Sequence, residues 1–149
     1  MNEVGEGAIG DAVGDTGLLL SVSAAIAGRN VNAVLEVLGL RARTFSILEL
    51  AVCTGGINQR RLAAVLQHNP SQIVAFVDDL AEEGLVERRS DAADRRKRLI
   101  FATEKGRLRY AEARALADQA LDGTLHPLDA DERATLHRLL RRIVTSTSS

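Results

Sequence analysis

The segment LAEEGLVERRSDAADRRKRLIFATEKG, residues 80–106, constrains the fold of this chain more than any other stretch. Gly84 stops a preceding helix, because a glycine just past the last turn takes the left-handed cap conformation without steric cost. Residues 85–89 and 98–103 have the composition and length of two short strands. The polar loop between them carries Asp91, Asp94, Arg95, Arg96 and Lys97. Thr103 can cap a helix that follows. The pattern therefore predicts a β-hairpin with a cationic tip, set between two helices.

The flanking sequence supplies the helices. Residues 42–52 form one, with Phe45, Leu48 and Val52 on one side, ended by Thr54, Gly55 and Gly56. Asn58 caps a second over residues 59–67 that buries Leu62, Val65 and Leu66. The next helix has Asn69 at the N-cap, Pro70 at N1 and Gln72 at N3, and its apolar stripe is Ile73, Phe76, Val77 and Leu80. Two short helices joined by a tight turn, then a hairpin, make a winged helix-turn-helix. Residues 16–38 and 104–122 are longer helix candidates, the first weakened by Gly28 and Asn30. After Pro127, Asp129 and Glu132 start a closing helix with Leu136, Leu139, Leu140, Ile143 and Val144 at amphipathic spacing. The predicted fold is mainly α, a winged helix-turn-helix with a two-stranded β wing. Residues 1–15 are expected to be a mobile tail, 16–40 and 107–145 a helical dimerisation region, 41–106 the winged lobe and 146–149 a second tail.

At 149 residues the chain is one domain, or one domain with an added helical module. Its net charge of −1 conceals an asymmetry. Residues 1–40 hold Glu3, Glu6, Asp11, Asp15 and Glu36 against Arg29 alone. The hairpin region holds Arg88, Arg89, Arg95, Arg96, Lys97 and Arg98 against Asp91 and Asp94. A hairpin that projects such charge from a helical body is suited to DNA phosphates and the minor groove. The single cysteine, Cys53, forms no intramolecular disulfide and reads as a buried core residue. The apolar run 17–27 reads as too short to span a bilayer and has an acidic flank, so a cytoplasmic location and no membrane partner are expected.

The order of parts resembles the MarR family of bacterial transcription regulators. GLVERRSDAADRRKR followed by TEKGR matches the family's GLV start, D-R-R wing and T-x-x-G helix start. INQRRLAAVLQHNPSQIVAFVDDLAEEG matches its helix-turn-helix, and LDADERATLHRLLRRI its closing helix, so the resemblance spans about residues 16–145. It implies an obligate homodimer on pseudopalindromic double-stranded DNA, most simply a repressor, relieved by a small-molecule effector. Three departures stand out. Pro70 and Ala75 occupy positions where the family often has arginine, Asp79 lies where a basic residue is common, and Arg41 replaces a frequent Thr or Ser cap. The wing is therefore expected to carry a larger share of DNA affinity.

Arg95 and Arg96 are the leading DNA-binding candidates; one would enter the minor groove while the other pairs with Asp94 and holds the loop in shape. Lys97 is a further DNA-binding candidate, and Arg60, Arg61, Arg88 and Arg89 are candidate phosphate contacts. Ser71 is a candidate base contact, and Gln72 either reads adenine or only closes its capping box. Arg43, Phe45 and Ser46 are candidate lining for an effector pocket. His68, His126 and His137 lack a ligand spacing, so no metal or other cofactor is expected. No Ser-His-Asp or paired-carboxylate arrangement stands out, so an enzyme is not expected. The competing reading is a ligand-sensing or protein-interaction module with weak DNA binding, to which Asp78, Asp79, Glu82 and Glu83 lend support.

Overall fold

Asp15 opens helix α1, Thr16–Leu35, by accepting the Gly17 N–H at 2.8 Å. The computed structural model describes residues 14–146. Of the two expected tails, 1–13 and 147–149 lie outside those residues. A short 3-10 turn, Glu36–Leu38, continues α1 and ends at Gly39, whose φ of 69° is left-handed. Helices α2 (Ala42–Thr54), α3 (Gln59–Leu66) and α4 (Pro70–Glu82) follow, then strands β1 (Val86–Ser90) and β2 (Arg98–Ala102), then α5 (Glu104–Thr124) and α6 (Ala130–Ser146). The fold is thus a mainly helical winged helix-turn-helix with a two-stranded wing.

Gly28 and Asn30 do not interrupt α1. The cost of a mid-helix glycine, about 1 kcal/mol relative to alanine, is offset because this end of α1 packs along α5. Val31 and Leu35 are buried there, Asn30 Nδ2 donates to Thr124 Oγ1 at 2.9 Å, and Arg109 Nη1 donates to Leu38 O at 2.6 Å. One expectation is corrected by this packing. The apolar run does not stop at residue 27. Thr16–Leu38 forms one helical stretch that is, by length and composition, apolar enough to cross a membrane, with mean hydropathy 1.4.

The core sits beneath the wing and between α2, α3 and α4. Leu35, Leu40, Ile47, Leu48, Leu62, Ile73, Val77, Leu80, Leu85 and Ile100 are all essentially inaccessible. The antiparallel strands pair Val86 with Ala102 and Arg88 with Ile100, so Val86, Ile100 and Ala102 enter this core. Ile57, just before α3, exchanges both backbone hydrogen bonds with Ile100 at 3.0 and 2.8 Å, which ties the helix-turn-helix to the wing.

The TEKG motif explains the junction between wing and α5. The Thr103 N–H donates to Leu85 O at 3.0 Å, its hydroxyl donates to Gly84 O at 2.7 Å, and its Oγ1 accepts the Gly106 N–H at 2.9 Å. Gly106 lies so close to β1 that an added Cβ would fall 1.9 Å from Leu85 O. The motif needs a capping hydroxyl first and no side chain three residues later.

Candidate nucleic-acid interface

Helix α3 begins where the Asn58 side chain accepts the Arg61 N–H at 2.8 Å, leaving the Arg60 and Arg61 side chains in solvent on its first turn. The turn into α4 passes through Gln67 at φ 53° and is braced by His68, which lies edge-on to Phe76 at 6.0 Å. Asn69 Oδ1 then accepts both the N–H and the hydroxyl of Ser71, at 3.0 and 2.9 Å. Gln72 Oε1 accepts the Asn69 N–H at 3.3 Å, which closes the capping box. Both candidate base contacts are therefore also parts of the helix start.

Helix α4 contains no Lys or Arg. Its nearest cation comes from the wing: Arg88 Nη2 contacts Asp78 Oδ1 at 2.5 Å, an ion pair that links β1 to the fourth helix. Arg89 pairs with Glu87 and lies 5.2 Å above the Phe101 ring. Its hydrogen bond and ion pair with Glu87 push its pKa further up. Arg88 and Arg89 are thus already engaged within the protein, unlike the arginines of the tip.

At the tip, Asp91 Oδ1 accepts the Ala93 N–H at 2.9 Å and Asp94 Oδ1 accepts the Arg96 N–H at 3.1 Å. Backbone bonds from Asp91 N to Lys97 O and from Lys97 N to Asp94 O, at 2.8 and 2.9 Å, complete the loop. The expected ion pair between Asp94 and an arginine is not formed. Lys97, at i+3, reaches Asp94 at 3.9 Å, while Asp94 holds Arg96 only through its backbone. Two exposed guanidinium groups, Arg95 and Arg96, remain without an ion-pair partner among the described residues.

The suggested pocket residues differ in burial. Phe45 is 6% exposed, belongs to the core and stacks on Tyr110 at 5.8 Å. Ser46 donates back to Ala42 O at 2.9 Å, and Arg43 stands in solvent. Their spacing turns Phe45 into the core, while Arg43 and Ser46, three apart, share a more exposed side of α2. Two open clefts instead flank the 39–41 segment. One of about 460 Å³ lies between Arg41, Thr44, Asp79 and Glu83, and one of about 470 Å³ between Arg29, Asn32, Glu36 and Arg41.

Sequence reasoning missed two polar features. Asn32 of α1 accepts the Ala42 N–H at 2.7 Å, capping α2 from ten residues away, while Thr44 Oγ1 accepts the Arg41 N–H at 3.1 Å. Arg41 needs no capping side chain because these two supply the bonds. The second feature joins α2 to α5. Tyr110 Oη donates to Glu49 Oε1 at 3.3 Å, and Arg114 bridges Glu49 at 2.7 Å and Asp118 at 2.8 Å. Burial, then the nearby Glu49 charge, push the Tyr110 phenol up to about 12. The Asn32 cap and the contacts to Glu49 join residues distant in sequence, so no local pattern announces them. Cys53 is exposed rather than buried, 4.0 Å from Tyr110 Oη, because the last turn of α2 extends beyond the core.

A model of the MarR family matches residues 40–97, which cover the helix-turn-helix and most of the wing. A MarR-family transcriptional regulator from Rhodococcus sp. RHA1 is 38% identical, superposes with a TM-score of 0.79, and covers 86% of this chain and 92% of its own. The chain belongs to the MarR family. Members of the family are transcription regulators and not enzymes.

CouR from Rhodococcus jostii RHA1, solved bound to p-coumaroyl-CoA, is 40% identical with a TM-score of 0.80, covering 88% of this chain and 92% of its own. A cysteine-to-serine mutant of MarR from E. coli, complexed with operator DNA, is 27% identical with a TM-score of 0.74, covering 85% and 91%. The HTH-type transcriptional regulator BilQ of Clostridium symbiosum (strain WAL-14163) is 30% identical over 88 residues. That match takes in 59% of this chain and 61% of BilQ, less than two thirds of its length.

Proposed function

We propose that this protein is a ligand-responsive repressor that acts as a cytoplasmic homodimer on a pseudopalindromic operator. One observation carries the reading: the Arg88–Asp78 ion pair roots a hairpin with free arginines at its tip directly beside α4. In this reading α4 lies in the major groove while Arg95 and Arg96 reach the adjacent minor groove or its phosphates. Lys97, Arg60 and Arg61 add phosphate contacts, and Arg88 and Arg89 contribute mainly by shaping the wing. That a mutant of the E. coli relative was solved in complex with operator DNA supports the DNA-binding part of this reading.

The dimer accounts for the apolar surface of the terminal helices. Leu18, Leu19, Leu20, Val22 and Ile26 of α1 and Leu139 and Leu140 of α6 are all more than a third exposed. A second subunit can cover this surface with the same patch. We assign the apolar half of α1 to the partner rather than to lipid, because its other half packs along α5 in a fold shared with transcription regulators.

Effector response is supported by CouR, which was solved with p-coumaroyl-CoA bound. That thioester is therefore the first compound to test for release of DNA. The decisive experiment is a gel shift with promoter DNA and with random duplex at several salt concentrations. The expected result is preference for the promoter, with affinity falling steeply as salt rises. Equal binding to both duplexes at physiological salt would favour a protein-interaction module, to which the exposed Asp79, Glu82 and Glu83 would then belong.

A further inference from the structure

Helix α4 offers little polar machinery for reading bases. It has no cationic side chain. Gln72 Oε1 accepts the Asn69 N–H, which folds the side chain back over the helix start, so a bidentate grip on adenine requires it to swing outward or to share that oxygen's second lone pair. The Ser71 hydroxyl proton is given to Asn69 Oδ1. Asp78 is held by Arg88. Asp79 lies on the flank that lines the cleft with Arg41 and Thr44.

What remains on the exposed ridge is apolar. Residues three and four apart share one side of a helix, so Ser71, Val74, Ala75 and Asp78 form a continuous row. Val74 is 42% exposed and Ala75 is exposed beside it, while Ile73 and Val77 carry the buried face. The major-groove edges of the four bases present one apolar feature, the C5-methyl of thymine. We propose that Val74, with Ala75 next to it, is the main base-reading element of this protein and recognises thymine methyl groups in each half-site. The inference rests on the DNA-binding reading above and assigns its specificity to a residue of different chemistry from Gln72 or an arginine.

The test begins by enriching random-sequence duplexes on the full-length protein. Each thymine of the enriched duplex is then replaced in turn by deoxyuridine, which removes only the methyl. At one or two positions per half-site, affinity should fall about fourfold, the value of one buried methyl-sized group. Val74→Ala should weaken binding to the parent duplex to a similar degree and abolish the deoxyuridine effect at those positions. Because Val74 is exposed, the variant should keep the wild-type circular dichroism and melting temperature. Deoxyuridine tolerated at every position would overturn the inference, as would a Val74→Ala protein that stays as methyl-sensitive as wild type. Failure to enrich any sequence would instead sink the DNA-binding reading itself, and this inference with it.

Discussion

The winged lobe and the terminal helices solve the problem of apolar surface in opposite ways. In the lobe, Leu62, Ile73, Val77, Leu85 and Ile100 are buried within one chain, and glycine and threonine manage close backbone approaches. In α6 no residue is buried, and the first half of α1 is exposed throughout. Both regions have amphipathic patterns. One is satisfied by intramolecular packing, and for the other we propose a second subunit. A pattern of apolar residues therefore shows that a face must be covered, without saying by which chain.

This contrast can be broken most severely at α6. Leu140→Asp should leave a protein that is unfolded or aggregated, with DNA binding lost, because interfaces of obligate dimers typically bury more than about 2,000 Å² and leave no stable monomer. Sedimentation with circular dichroism checks this. A folded monomer would show that the terminal helices are covered within one subunit after all.

The next largest effect should come from the closed lobe. Gly106→Ala places a Cβ against the Leu85 carbonyl, 1.9 Å away, and must separate α5 from β1. We expect a loss of about 3 kcal/mol, read as a lower urea midpoint at fixed protein concentration. The same change at Gly123, whose surroundings are open, should not destabilise. Equal effects at the two glycines would contradict this packing.

Smaller still is the effect at the wing tip, where stability should be untouched. Arg95→Ala with Arg96→Ala should reduce the slope of log affinity against log salt by roughly 2, about one unit for each phosphate that is no longer neutralised. Unchanged affinity and slope would remove the tip from the interface.

The mildest prediction concerns the polar link between α2 and α5. Tyr110 is the only tyrosine in the chain, so its phenolate absorbance can be titrated without overlap. It should ionise at about 12 rather than at the ordinary 10.0. The folded state then favours the protonated phenol. This contribution to stability is full below pH 10 and is lost as pH rises from there towards 12. Glu49→Gln should bring the value down, because the nearby negative charge goes while the burial stays.

Much of the lobe was legible in the sequence, because its signals are local. Gly84, the Asn69–Gln72 capping box and Thr103 through Gly106 act within a few residues of themselves, and backbone geometry restricts which residue types can do their work. The extent of α1 was legible as residues 16–38, but not what offsets Gly28 and Asn30 in its middle, because that support comes from α5, some eighty positions along the chain. The Asp94 pairing was misjudged for a different reason. Opposite charges in a loop offer several partners, and the turn selects Lys97 by where it directs the backbone.

The candidate site divides along the same line. Sequence alone determined that a cationic hairpin follows a helix-turn-helix, because charge, turn residues and strand lengths are properties of short stretches. Only the tertiary structure decided which cations are spent inside the molecule and which stand free. Arg88 meets Asp78 of another element, Arg89 settles over Phe101, and Arg95 and Arg96 meet no carboxylate among the described residues. Whether a charge is available depends on which distant groups the packed chain brings within a few ångströms of it, and packing, unlike helix caps and turns, is a property of the whole fold.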